Sequence, residues 1–299
     1  MKTAIGIDLG GTRIKAVAVD ESGRILKEMY TPTADDDTRG WRVAVKNAHT
    51  SILASLNNPE SITGISAPGL PNATNSCISV MPGRLQGLEN FEWASYLSTR
   101  AWVLNDANSA LAAELKFGVA AGKKNVILLT LGTGVGGSIA IDGRIYQGAF
   151  QKAGHLGHMS VDADGLPDIC GMPGSLEDAI GNCTIGLRTR GRYHSTQQLL
   201  DGYRLGEPLA AEVWLRSIKK LAVGIASLTN ILSPEMVILG GGITSAGDAL
   251  FKPLADYMDA YEWRTNGNRT SVVKAHFGDL AGAVGAAGFA LLKAEEQMK

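Results

Sequence analysis

Apolar and polar positions change their period several times along the chain, and the changes predict alternating strands and helices. Residues 4–9 form an apolar run that stops at Gly10-Gly11-Thr12, and 14–19 form a second run, so the pair predicts a hairpin with a glycine tip. A turn at Asp20–Gly23 leads into a third strand over 24–30. Apolar residues at helical spacing over 41–56 predict a helix. Residues 62–71 read as a strand entering a Pro-Gly loop, and 101–118 as a strand, a polar break at Asn105-Asp106 and a helix. The opening pattern then returns. An apolar run meets Gly132-Thr133-Gly134, 138–141 come back as a strand, Asp142-Gly143 turn, and Arg144-Ile145 start again. The stretches DLGGT…KAVAVDESGRIL and TLGTGVGGSIAIDGRIY therefore share strand, glycine turn, strand, acidic-Gly turn and Arg-Ile, which predicts an internal duplication with one domain per copy. The second half adds a long amphipathic helix over 210–232, stopped by Pro234, a strand over 236–243 ending in three glycines, and a glycine- and alanine-rich helix within 276–297. The fold class is α/β.

Composition narrows the function classes. A chain of 299 residues with 45% hydrophobic residues suits two lobes with sizeable cores. Its 28 basic and 29 acidic residues give no pull toward nucleic acid or an anionic membrane. The scattered Cys77, Cys170 and Cys183 argue against a disulfide framework and for a reducing compartment. The start, MKTAIGIDLGG, does not read as a signal peptide, and the most apolar stretches are too short to span a bilayer. A soluble cytoplasmic protein is expected.

The candidate chemistry lies at the strand ends. Glycine turns at Gly10-Gly11-Thr12, Gly132-Thr133-Gly134 and Gly240-Gly241-Gly242 can aim several backbone N–H groups at a phosphate with no Cβ in the way. Thr12 and Thr133 add hydroxyl donors, and Lys15 could act as a point charge. Any one such turn alone reads as an ordinary hairpin; the repetition points to a ligand. No GxxxxGK[ST] occurs, and the turn after Leu9 returns as a strand, so neither a Walker loop nor a Rossmann fingerprint is present. Asp106 sits where a strand ends and a helix begins. It suits a general base that takes a proton from a hydroxyl, with a helix N-cap as the alternative. Asn105 offers both amide donors and an acceptor for vicinal hydroxyls.

Four motifs, 7-IDLGGTRIK-15, 104-LNDANSA-110, 130-TLGTGVGG-137, and 153-AGHLGHM-159 with 171-GMPGSLE-177, together resemble the ROK family of sugar kinases and repressors within the actin-like ATPase superfamily, over nearly the whole chain. The resemblance implies two duplicated ribonuclease-H-like domains with a central cleft. Residues 1–105, completed by the C-terminal helix 282–297, would form the N-terminal lobe and 106–281 the larger C-terminal lobe. It further implies ATP and Mg²⁺, with Asp8 helping to hold the metal ion. Gly10, Gly11, Thr12, Lys15, Gly132, Thr133 and Gly134 would line the phosphates and Gly240, Gly241 and Gly242 the adenosine. Asp106 would be the general base, Gly69 part of a loop closing over the sugar, and Glu177 an acceptor for its hydroxyls. The implied activity is phosphorylation of the 6-hydroxyl of an aldohexose or N-acylhexosamine by a homodimeric enzyme.

Two departures from the family pattern stand out. The family binds a structural zinc through one His and three Cys, but here His158 is accompanied by Asp168, Cys170 and Ser175. No structural zinc is therefore expected, and 158–177 should be held by packing, by Pro167 and Pro173, and by hydrogen bonds. The family's sugar-contacting Glu is His155, which both donates and accepts, so the sugar it reads should change; glucose and N-acetylmannosamine are the leading candidates. His158, freed from zinc, could face the sugar. A repressor of this family would carry a helix-turn-helix segment ahead of the first hairpin, which begins here by Ala4, so DNA binding is not expected. A non-catalytic sensor of sugar or nucleotide is the alternative.

Overall fold

The glycine hairpin at the start of the chain is the centre of a five-stranded sheet in the computed structural model, which describes residues 2–35, 39–56, 61–81 and 83–297. Strand β1 (Thr3–Leu9) pairs antiparallel with β2 (Arg13–Asp20), with Gly10, Gly11 and Thr12 at the tip. Strand β3 (Ile25–Pro32) extends the sheet beyond β2, and β4 (Ile62–Ala67) and β5 (Ala101–Asn105) add in parallel on the other side of β1. The order is β3-β2-β1-β4-β5.

Alternate residues of β1 feed two cores. Ile5, Ile7 and Leu9 pack with Trp41, Val45, Ile52 and Trp93, which come from the helix Gly40–Ala54 and the short helix Trp93–Leu97. Ala4 belongs to a second core with Val17, Val19, Ala283, Ala287 and Leu291. All six residues of β4 are buried, as expected of a strand covered on both faces. The C-terminal helix Ala281–Glu296 supplies the second cover. A Cβ at Gly6 or Gly64 would run into the backbone carbonyl of Ala283 or Ala286, so the glycines let helix and sheet come together at backbone distance.

The chain divides into two units, Met1–Lys123 with Ile145–Ala153 and Ala275–Lys299, and Lys124–Arg144 with Gly154–Lys274. The helix Asp106–Phe117 lies in the first unit, whereas a boundary after Asn105 would give it to the second. Close packing explains the difference: a Cβ at Gly285 in the C-terminal helix would meet the carbonyl of Ser109.

The second unit repeats the first sheet. Strand β6 (Val126–Leu131) pairs antiparallel with β7 (Val135–Ile141), β8 (Arg144–Ile145) follows, and β9 (Met236–Gly240) and β10 (Ser271–Lys274) join in parallel, in the order β8-β7-β6-β9-β10. Position for position this is the order of the first sheet, as the repeated hairpin motif predicts. Its core joins Ile127, Leu129 and Leu131 to Val213, Ile218, Leu221 and Ile225 of the 25-residue helix Pro208–Leu232. Pro208 fits the first turn of that helix, and Ser233 closes it in the left-handed region just before Pro234. No helix among the described residues is long and apolar enough to cross a membrane.

Candidate active site

In the first unit the candidate residues gather at the carboxyl ends of parallel strands, the usual ligand edge of such sheets. The pairings Asp8↔Ser66 and Ala67↔Asn105 set Asp8 and Asn105 two strands apart on this edge. Asp8 accepts a 2.7 Å hydrogen bond from the Ser66 hydroxyl and a 3.3 Å bond from the Lys15 ammonium. Lys15 also meets Asp279, at 3.0 Å from a carboxylate oxygen and 2.9 Å from the backbone carbonyl. Burial pulls the Lys15 pKa down, but the Asp8 and Asp279 carboxylates outweigh it and the ammonium is held above its usual range. The point charge anticipated beside the first turn is thus shared between two carboxylates.

Asn105 is buried, and its side chain caps the following helix by accepting from the Ala107 N–H at 3.0 Å. Its amide donates to the Gly69 carbonyl at 3.1 Å, bringing Gly69, Asn105 and Asp106 together. The N-cap is therefore Asn105, and Asp106 occupies the first helical position with its side chain exposed. Gly69 has φ 99°, and a Cβ there would press on Ile78, Val80 and Met81, so the loop has its shape because the residue is glycine.

In the second unit the turns after β6 and β9 lie side by side, since Gly240 pairs with Thr130. Gly241 has φ 84°, and its Cβ position is filled by the Leu131 backbone. A cavity of about 280 Å³ opens here, lined by Gly132, Thr133, Asn182, Thr196, Gln197, Leu200, Gly242, Ile243 and Ser245. Gly132, Thr133 and Gly242 were expected there. Asn182, Thr196 and Gln197 were not, because no local pattern marks them. The Asn182 N–H donates to the Gly132 carbonyl at 3.0 Å and the Cys183 N–H to the Thr133 carbonyl at 2.8 Å. Asn182 Oδ1 accepts from both the N–H and the hydroxyl of Thr196, at 2.7 and 3.1 Å. Arg188 stands behind this turn and donates to the Gly181 carbonyl at 2.6 Å, to Thr184 at 3.0 Å and to Ser217 at 2.7 Å. Burial lowers its pKa to about 10, still protonated at neutral pH.

Glu177 reaches the second glycine turn, accepting from the Val135 N–H at 2.9 Å. Its carboxylate fills the space a Cβ on Gly134 would need. His155 precedes a single turn of 3₁₀ helix at Leu156–His158. Gly157 is required there, because a Cβ would strike the Val135 carbonyl.

His158, Asp168 and Cys170 each bring a donor atom within 4.8 Å of the others. Asp168 Oδ2 faces His158 Nδ1 at 2.8 Å, while Cys170 Sγ lies 3.6 Å from the opposite nitrogen, Nε2. Three donors are therefore gathered, two of them on opposite nitrogens of one imidazole. The fourth family position, Ser175, caps the helix Leu176–Ile180 through Asp178 N–H at 3.2 Å. This set does not fit a closed structural zinc, which wants four convergent ligands. Asp168 Oδ1 instead accepts from the Cys170 and Met172 N–H groups at 2.8 and 2.9 Å. Burial favours the protonated acid, but the bonds from His158 and these backbone groups prevail and hold its pKa at about 2. Pro167 and Pro173 pair in a bridge across the same segment.

The ROK family model matches residues 4–294 of this chain. The chain belongs to the ROK family. It is 30% identical to the glucokinase of Streptomyces coelicolor, over 97% of this chain and 98% of that protein. It is 28% identical to the N-acetylmannosamine kinase of Yersinia pseudotuberculosis, over 96% and 98% of the two chains. Among solved structures, the ROK hexokinase of Thermus thermophilus superposes with a TM-score of 0.87 at 27% identity, covering 98% of this chain and 99% of its own. The two repeated sheets of this ROK protein form the actin-like ATPase fold.

Proposed function

We propose that this ROK protein transfers the terminal phosphoryl group of ATP to the 6-hydroxyl of an aldohexose or N-acylhexosamine, with glucose and N-acetylmannosamine as the leading acceptors. The observation that carries the reading is the Gly69–Asn105–Asp106 arrangement, in which a buried amide bonds the loop carbonyl and an exposed carboxylate follows it at a helix start. A sugar hydroxyl is a poor nucleophile, and the transfer needs it aligned and able to lose its proton. Asp106 accepts that proton, and Asn105 orients the hydroxyls. Asp8 is a suitable single carboxylate for Mg²⁺, which typically keeps waters and phosphate oxygens as its other ligands. Mg²⁺ bound there would neutralise charge on the phosphates. Backbone N–H groups at Gly10–Thr12 and at Thr133 and Gly134 receive the phosphates, the Gly132 N–H being held by the Gly134 carbonyl at 2.9 Å, and the cavity beside Thr133 and Gly242 suits the nucleoside.

Similarity to both glucokinases and N-acetylmannosamine kinases leaves two acceptors in view. His155 is the residue proposed to choose between them, through an imidazole that can donate as well as accept. The test is ADP release with ATP and a panel of glucose, mannose, N-acetylglucosamine and N-acetylmannosamine. Sugar-dependent release is expected for at least one. Sugars that bind by calorimetry while none provokes ADP release would overturn the kinase reading in favour of a non-catalytic sensor.

A further inference from the structure

Of the cations at the first glycine hairpin, two are already neutralised. Lys15 is shared by Asp8 and Asp279, and Arg13 pairs with Asp279 at 2.7 Å. Arg84 differs. Its guanidinium lies against Gly11, so closely that a Cβ on Gly11 would collide with it. The side chain is exposed, and among the described residues it has no hydrogen-bond or ion-pair partner.

Its backbone is nevertheless anchored. The next residue, Leu85, is 1% exposed in the core with Trp41 and Trp93. The Leu85 N–H donates to Asp35 at 3.0 Å, and its backbone sits in the left-handed region at φ 51°. The chain is thus anchored beside the hairpin, and an unpaired guanidinium lies over the glycine that a phosphate would approach. Such a fork matches two phosphate oxygens at once, which a lysine cannot do.

We propose that Arg84 binds the terminal phosphate of the phosphoryl donor at the Gly10–Thr12 hairpin and stabilises the charge on its oxygens during transfer. The inference rests on the phosphotransferase reading above and adds a catalytic residue to it.

The experiment compares wild type, Arg84→Gln and Arg84→Lys. Calorimetry with Mg²⁺ measures binding of an imido analogue of ATP, of ADP and of a hexose 6-phosphate, and steady-state kinetics run beside it. Arg84→Gln should weaken the triphosphate analogue roughly ten- to hundredfold, with ADP changed less than about twofold. The kcat should fall while KM for the sugar holds, and Arg84→Lys should recover part of the loss. An unchanged melting temperature confirms that the variant folds. Equal weakening of ADP and the analogue would mark Arg84 as merely structural and overturn the inference, as would no loss at all or a loss confined to hexose 6-phosphate. If wild type itself transfers phosphate to no sugar, the kinase reading fails, and the binding arm still decides Arg84.

Discussion

The two units carry the same hairpin on the same sheet order, yet they treat charge in opposite ways. In the first, Asp8 and Lys15 stand opposite each other in register, and Arg13, Asp279 and Arg84 surround the tip. In the second, the corresponding pair is Thr130 and Gly136, both uncharged. The carboxylate that meets the second tip, Glu177, comes from a different segment and accepts from its backbone. A glycine turn can supply phosphate donors from the backbone alone, so the phosphate role proposed for the second hairpin needs no charged side chain. Side-chain charge is an addition, made in one copy, where a metal ion, a proton and a moving phosphoryl group would be handled. Changes to ionisable groups in the first unit should therefore strike kcat, and changes in the second should strike nucleotide binding and local stability.

The largest effect is expected from Asp106→Asn. The amide keeps the size and the polarity but cannot take a proton, so kcat should fall roughly 10²- to 10⁴-fold. Sugar affinity by calorimetry should stay within about threefold. Unchanged turnover would remove Asp106 as the base and, with it, the idea that the first unit owns the proton transfer.

Gly134→Ala probes the second tip by shape alone. Its Cβ would collide with the Glu177 carboxylate, which must then give up its bond to Val135. Overpacking of this kind costs about 1–3 kcal/mol, which as binding free energy is roughly 5- to 150-fold in affinity. We expect the loss in nucleotide binding, with KM for the sugar little changed. A fall in kcat with nucleotide affinity intact would blur the contrast between the two hairpins.

Asp168→Asn tests whether a carboxylate organises 158–177 in place of a metal. The change removes the charge that faces His158 and should cost about 1–3 kcal/mol, read as faster proteolysis within that segment. Protein purified without added zinc should contain none in stoichiometric amount, and a chelator should leave its melting temperature unchanged. One tightly held zinc per chain would overturn this account.

Local patterns made the two hairpins, the glycine turns and the long helix legible in the sequence, because strand period, turn chemistry and a proline stop all act over a few residues. The Asn105-Asp106 break was legible for the same reason, although the cap proved to be Asn105. What escaped notice depends on residues far apart in the chain. Lys15 meets the Asp279 carbonyl across 264 positions, and nothing near Lys15 announces that partner. Arg84 reaches Gly11 through a loop with no periodic signal, and Asn182 and Thr196 join the cavity only because the chain folds them beside Gly132. At 158–177 the missing cysteines were visible, but the carboxylate that gathers backbone N–H groups in their stead is a property of the folded loop.

The smallest effect expected concerns His49, which asks whether the two units respond differently to acid. His49 lies in the first unit at 3% exposure, with Nε2 3.1 Å from the Thr63 hydroxyl in β4. Burial lowers its pKa below the ordinary 6.5. An imidazole with a lowered pKa in the folded state takes its proton more readily when unfolded. Unfolding therefore gains protons as pH drops below the unfolded value, and the first unit loses stability there; above it His49 contributes no pH dependence. The slope from one such group cannot exceed about 1.4 kcal/mol per pH unit. Hydrogen exchange of the β4 amides, corrected for the intrinsic rate, should show a loss of protection between about pH 7 and about pH 5. His49→Gln, which keeps a polar partner for Thr63 but does not titrate, should flatten that loss in β4 and leave the β6 amides as they were. An equal change in both strands would mean that His49 is not its source.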